Sequence, residues 1–292
     1  MQRHKKISPF TILNYLLFAV IGIIMVYPFW YVVMYSFSDP AQSSLSSLYL
    51  WPQGFTVQSY IYAFSKKILF TGFFNSVFLT LMGTAVNMVL TIMLAYPLSR
   101  DTLPGRKYLS AFIVFPMLFN GGMIPTYLVI KDFNLLDNFW VMVVPFSVIT
   151  YYIIVARTFF NNSIPDDLWE AAQIDGCGNL NFFFKIVLPL SKAVIAVIAL
   201  WTAVGQWNSY FNALIYLRSP ELQPLQLVLR NILISNQKIS AMTTGAAAVE
   251  AKQMADLIKY AVIVVSSAPI MCMYPFVQKY FNQGVMLGSL KG

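Results

Sequence analysis

The scarcest thing in this chain is charge. Of 292 residues only 10% are Asp, Glu, Lys or Arg, against about 25% in an ordinary soluble domain, so the chain cannot clothe a water-facing surface of normal size. That excludes a cytosolic enzyme, a disordered chain and a collagen-like repeat together. Histidine is nearly absent: His4 is the single example, which leaves no second histidine for a zinc site or a conventional catalytic triad. Two cysteines, Cys177 and Cys272, stand far apart and outside any C-x-x-C spacing, so neither a disulfide framework nor a thiolate metal site is indicated and packing roles are expected. No Gly-Lys dipeptide occurs, and a phosphate-cradling loop requires one. If ATP drives this protein, another polypeptide binds the nucleotide.

What is abundant is apolar surface: 58% hydrophobic residues, 24 Phe and 17 Tyr. A helix needs about 20 mainly apolar residues to cross the hydrocarbon of a bilayer, and six uncharged runs meet or approach that length: 7–38, 68–99, 108–130, 138–156, 193–217 and 260–278. We read an all-α, polytopic membrane protein with six transmembrane helices. The first run is too long for the apolar core of a signal peptide, so the tail Arg3-His4-Lys5-Lys6 flanks a retained helix. With that tail inside, cytoplasmic segments carry Arg3, Lys5, Lys6, Arg100, Arg106, Lys107, Arg157, Lys185, Lys192, Lys279 and Lys291, the larger share of the 19 basic residues. The bias favours both termini in the cytoplasm. The net charge of +8 fits anchoring at anionic lipid better than nucleic acid.

The expected organisation is a cytoplasmic tail (1–11), a six-helix domain (12–278) with a cytoplasmic loop (161–192) and an extracytoplasmic connection (218–256), and a second cytoplasmic tail (279–292). In that connection Leu222, Leu225, Leu229 and Ile232 recur at helical spacing. This suits either an amphipathic helix on the membrane surface or one packed on the bundle. A further apolar stretch, 239–249, is too short to span. Pro116, Gly121-Gly122 and Pro125 interrupt the third run, and such breaks survive in a membrane where protein or a watery cavity covers them. The third helix is therefore expected to face the bundle and to kink.

The runs lack the ionisable side chains that commonly carry or coordinate a coupling ion. Some sodium sites use only carbonyls and hydroxyls, so a secondary transporter or channel stays open as an alternative. An intramembrane enzyme would need converging nucleophile, base or metal ligands, and the runs supply few.

Between the fourth and fifth runs lies Ser163-Ile164-Pro165-Asp166-Asp167-Leu168-Trp169-Glu170-Ala171-Ala172-Gln173-Ile174-Asp175-Gly176. Ser163 and Asp166 have the spacing of a capping box, Pro165 suits a first turn, the acids suit a helix N-terminus and Gly176 supplies a stop. Asn179 is placed to cap a second short helix that Pro189 limits. Leu168, Ala171, Ala172 and Asp175 share one smooth face. That face could serve another surface or rest on the chain's own bundle.

Glu170-Ala171-Ala172, then Asp175-Gly176, then Ile186, Leu188 and Pro189 after a fixed gap, resembles the EAA motif of permease subunits in ATP-binding-cassette importers. Trp207-Asn208 with Ala213-Leu214-Ile215-Tyr216, and the ending from Gln278 through Gly284 to Gly292, are similar to the maltose-permease-like branch that imports oligosaccharides. The segment Phe119 to Tyr127 resembles a polysaccharide-fragment subgroup. Cys177 departs mildly from the small residue usual there. The resemblance implies the type I importer permease fold, a second related permease, two ATPase subunits carrying ATP and Mg, and an extracytoplasmic sugar-binding protein. Glu170, Ala171, Ala172, Asp175 and Gly176 would dock on the ATPase, and Gln283 and Gly284 would contact it from the tail. No catalytic residue, metal ligand or cofactor of this chain's own is implied.

A sugar path needs hydrogen-bonding groups and aromatic faces. The candidates are Gln206, Trp207 and Asn208 in the fifth run and Asn75 and Asn87 in the second, with interhelical hydrogen bonding as the competing role for each amide.

Overall fold

Where water is absent, backbone groups must pair within their own segment or within a closed barrel. In the computed structural model every regular element among the described residues is helical. The structure describes residues 9–39, 49–242 and 258–273, with Pro275 and Gln278. In chain order the helices are α1 (Pro9–Ser36), α2 (Gln58–Ser65), α3 (Lys67–Ser99), α4 (Arg106–Leu118), α5 (Met123–Asp132), α6 (Thr150–Ser163), α7 (Asp166–Ile174), α8 (Asn179–Leu190), α9 (Lys192–Trp207), α10 (Phe211–Tyr216), α11 (Leu225–Met242) and α12 (Ile258–Met273). Short 3-10 turns occupy Phe139–Met142 and Pro220–Leu222.

Two of these, α1 and α3, are long and apolar enough to cross a membrane, and counting each sharply bent pair as one span raises the number to four. The third run is not one kinked helix: α4 and α5 meet at 115°. Pro116 weakens the end of α4 by removing a donor, and Gly122 takes φ +89°, a conformation glycine adopts without strain. The Asn120 side chain accepts a bond from the Gly122 N–H at 2.8 Å and fixes the corner. The fourth run also departs from a single helix. It opens with the 3-10 turn, capped by Asn138 accepting from Trp140 N–H, and becomes α-helical only at Thr150.

Among the described residues the fold divides into two units, one drawn from 1–67 and 229–268, the other from 68–228 and 269–292. The first unit is built on tyrosine. The rings of Tyr31, Tyr35, Tyr49 and Tyr260 gather at the end of α1, with Tyr35 5.1 Å from Tyr49 and 4.6 Å from Tyr260. Edge and tilted contacts of this kind suit the ring quadrupole. Upstream of them α1 is apolar and exposed from Phe10 to Val26.

In the second unit α3 is the spine. Its first half packs Leu79 in a core with Ile130, Val141, Met142, Ala213, Tyr216 and Leu227. Its last turns pack Ala95 and Leu98 with Ile153, Phe160, Phe182 and Ile198. Gly72 lets Leu225 and Val228 approach to 3.2–3.3 Å of where a Cβ would stand, and the Leu225 N–H donates to Ser76 Oγ at 2.8 Å. Leu225, Leu227, Val228 and Leu229 are buried. The start of α11 is thus packed on the bundle and does not lie free on a membrane surface; the stretch 243–249 lies outside the described residues.

Candidate functional site

Two regions bring chemistry-bearing residues together, both within the second unit. The first is the loop around α7. Helix α6 continues through Ser163 and closes with Ile164 N–H on the Phe160 carbonyl, so the expected capping role of Ser163 is corrected: a residue still inside one helix cannot turn its side chain to cap the next. Pro165 is the residue before α7, and Asp166 and Asp167 fill the first turn, where carboxylates meet the positive end of the helix dipole. Likewise Gly178, not Asn179, precedes α8.

The other end of α7 is closed as the sequence implies. Gly176 adopts φ +73°, Cys177 N–H donates to the Ala172 carbonyl at 2.8 Å and Gly176 N–H to the Gln173 carbonyl at 3.0 Å. This is the Schellman arrangement, and it ties the stop directly to the alanine pair.

The shared face of Leu168, Ala171, Ala172 and Asp175 needs a correction. Ala172 is only 7% exposed and belongs to the core with Ala95, Phe160 and Phe182, because Trp169 one turn earlier packs edge-on against Phe182 at 5.0 Å and rolls that side inward. Glu170, Ala171, Asp175 and Gly176 remain exposed, and Ile174 is 87% exposed, with Leu180 and Phe184 also exposed in the same loop. Arg100, just past α3, reaches Asp166 at 3.0 Å. Gln283 and Gly284 lie outside the described residues.

The second region is a cleft of about 210 Å³ on α9, lined by Tyr152, Trp201, Thr202, Gln206, Ser209 and Asn212 among others. Tyr152 and Tyr151 lean on Trp201 at 5.8 and 6.0 Å. The lining is uncharged. It offers amide and hydroxyl groups beside flat aromatic faces, which suits a hydroxyl-rich solute.

The five path candidates separate here. Gln206 lines the cleft, its amide lying where a Cβ on Gly83 would come within 2.8 Å. Trp207 is buried and faces Phe73 at 5.8 Å. Asn208 ends α9 and donates back to the Val204 carbonyl at 3.0 Å. Asn75 donates to the carbonyls of Glu221 and Gln223, at the edge of an aromatic hollow with Phe74, Phe78, Phe139 and Trp140. Asn87, 1% exposed, donates to the Ser147 carbonyl and accepts from Thr202 at 2.9 Å. In this conformation Asn75 therefore ties α3 to the 3-10 turn at Pro220–Leu222 and the residue after it, and Asn87 ties α3 to α9.

Tyr152, Trp201, Ser209 and Asn212 were not singled out from sequence. A signal existed for part of the set, since Thr202, Gly205 and Gln206 stand at i, i+3 and i+4 on one face of α9. Among the described residues no group of three or more His, Cys, Asp or Glu gathers as metal ligands would.

No family model matches the chain. It is 40% identical over 292 residues to Protein LplC of Bacillus subtilis (strain 168), covering 100% of this chain and 98% of that protein. It is 42% identical over 287 residues to the polygalacturonan/rhamnogalacturonan transport system permease protein YtcP of the same organism, covering 97% of this chain and 98% of that one. Among solved structures it resembles a chain of a bacterial ABC transporter involved in the import of the acidic polysaccharide alginate. The TM-score is 0.84 and the identity 31%, over 93% of this chain and 96% of that chain.

Proposed function

This chain belongs to the permease family of ATP-binding-cassette importers for sugars and oligosaccharides, and from that premise we propose that α7 is the handle by which a separate ATPase drives it. The observation that carries the proposal is the split of α7: one side is sealed into the chain's own core through Ala172 and Trp169, while Glu170, Ala171 and Ile174 stand in the open. A short helix held so firmly from behind can transmit a push received in front.

In this reading the chain spans the membrane six times with both termini in the cytoplasm. It pairs with a second permease, two ATPase subunits that hold ATP and Mg, and an extracytoplasmic binding protein. ATP binding draws the ATPases together, the handle moves with them, and the path changes the side to which it opens. The chain itself performs no covalent step. Gln206, Ser209 and Asn212, with Trp201 and Tyr152, supply hydrogen bonds and ring faces to an oligosaccharide in that path.

Coexpression with the ATPase is the test. The chain copurifies with it, and Glu170→Ala weakens capture about tenfold, the size of a lost charge-assisted contact at an interface, without lowering the melting temperature. Purified chain that moves solute at full rate alone would restore the secondary-transporter or channel reading. Labelling of Cys177 by an impermeant reagent from outside intact cells, in a Cys272→Ser chain, would refute the orientation.

A further inference from the structure

The contact between Arg100 and Asp166 is poorly explained by stability. Arg100 is only 14% exposed, while its partner carboxylate is 69% exposed, and an ion pair with so wet a partner contributes little. Only Nη1 is engaged. Nε and Nη2 are sealed from solvent and meet no acceptor in full hydrogen-bond geometry among the described residues; the Tyr96 phenol interacts with the guanidinium through its charge and through a hydrogen bond outside that geometry. Buried donors without acceptors are costly. A side chain that weakens its surroundings in this way calls for another reason to be there.

Its position supplies one. The guanidinium lies 5.1 Å from the Tyr96 ring and 5.9 Å from the Phe182 ring, so it is stacked between the end of α3 and the start of α8 while holding the first residue of α7 by its carboxylate. Tyr96 also meets Phe183 at 4.9 Å, where α8 widens into a π-turn over Phe183–Val187. Farther along the same α3, Asn87 bonds Thr202 and Gly83 receives the Gln206 side chain.

We propose that Arg100 is a positioning residue, which clamps α7 to the end of α3 so that movement of the handle is passed to the helix packed against the cleft. The clamp itself is a property of this chain; its use by a motor rests on the function proposed above.

A nitroxide at Gln173→Cys, an exposed position on α7, reports on the clamp in full-length chain carrying Cys177→Ala and Cys272→Ala, reconstituted in nanodiscs. The background chain gives one slow spectral component. Arg100→Met fills the aromatic slot without orphaned donors, so the melting temperature is unchanged or higher while a second, mobile component appears. Arg100→Lys, which retains a cation for Asp166, restores most of the slow component. In the complex with its ATPase, Arg100→Met reduces the ATP-dependent spectral change at least about fivefold at undiminished ATPase capture.

A spectrum for Arg100→Met identical to the background overturns the proposal. So does a mobile component that arises only with a fall in melting temperature and is not relieved by lysine, since that marks a structural role. Failure of the background chain to capture any ATPase counts against the importer reading alone, because the chain-only spectra still decide the clamp.

Discussion

Replacing Asn87 with alanine separates a tie between helices from a contact with solute. Asn87 joins three elements: its amide donates to the Ser147 carbonyl before α6, and its oxygen accepts from Thr202 on α9 and, at 3.5 Å, from Thr91. Interhelical hydrogen bonds in a membrane average about 0.6 kcal/mol with a maximum near 1.7. Stranding the Ser147 carbonyl in a dry interior adds about 1–3 kcal/mol. The expected loss is therefore about 2–4 kcal/mol. For a domain of roughly this size 1 kcal/mol lowers the melting temperature by about 2–4 °C, so Asn87→Ala should melt ~4–16 °C lower. Loss of helical circular dichroism on heating measures this in detergent. Gln206→Ala is the counterpart: it loses packing on Gly83 but no interhelical tie, so stability falls by only about 1 kcal/mol, the usual size for a point substitution, while uptake is impaired. If Asn87→Ala melted with the parent yet abolished uptake, Asn87 would be a path residue and the tie would be refuted.

Ala172→Leu should lower the melting temperature, because about 1–3 kcal/mol is the usual result of forcing methylenes into a full core, whereas Ala171→Leu leaves it unchanged and impairs ATPase capture; equal melting of the two variants would contradict the split of α7. Asp137 predicts an acid-limb effect. The Ser219 hydroxyl, then the Ser219 and Arg218 N–H groups, hold its carboxyl below the usual carboxylate range. Its contribution is complete above about pH 3.9, the ordinary value, and is lost as pH falls through the lowered folded value. Asp137→Asn should flatten that part of the melting-temperature profile, and a profile of unchanged shape would remove the clasp from consideration.

Much of this was legible because lipid imposes a simple grammar. The uncharged runs located α1 and α3 almost to the residue, and Gly176 announced the end of α7 because a positive φ has few other tenants. Hydrophobicity without periodicity could not foresee that the fourth run begins as a 3-10 turn, nor that Asn120-Gly121-Gly122 makes a 115° corner, since a run of apolar residues looks alike whether it goes straight or turns back. Of the residues proposed for the path from sequence, only Gln206 lines the cleft. Asn75 and Asn87 have the same chemistry as a sugar ligand, and their destinations, the carbonyls of Glu221, Gln223 and Ser147, are set by residues 60 to 148 positions away. Arg100 belongs to the same class, since nothing local to it announces Asp166.

Ala171 and Ala172 are neighbours in sequence with opposite audiences. Ala172 answers to Ala95, Phe160 and Phe182 in its own chain, so a change there can be compensated only within the same gene. Ala171 is exposed, and in the function proposed above it answers to the ATPase, so that a change there would be compensated in another gene. A lineage of such permeases could therefore exchange one motor for another by drift at the first alanine while the second holds the loop's shape constant. Paired variation across the two genes should concentrate at 171 and spare 172.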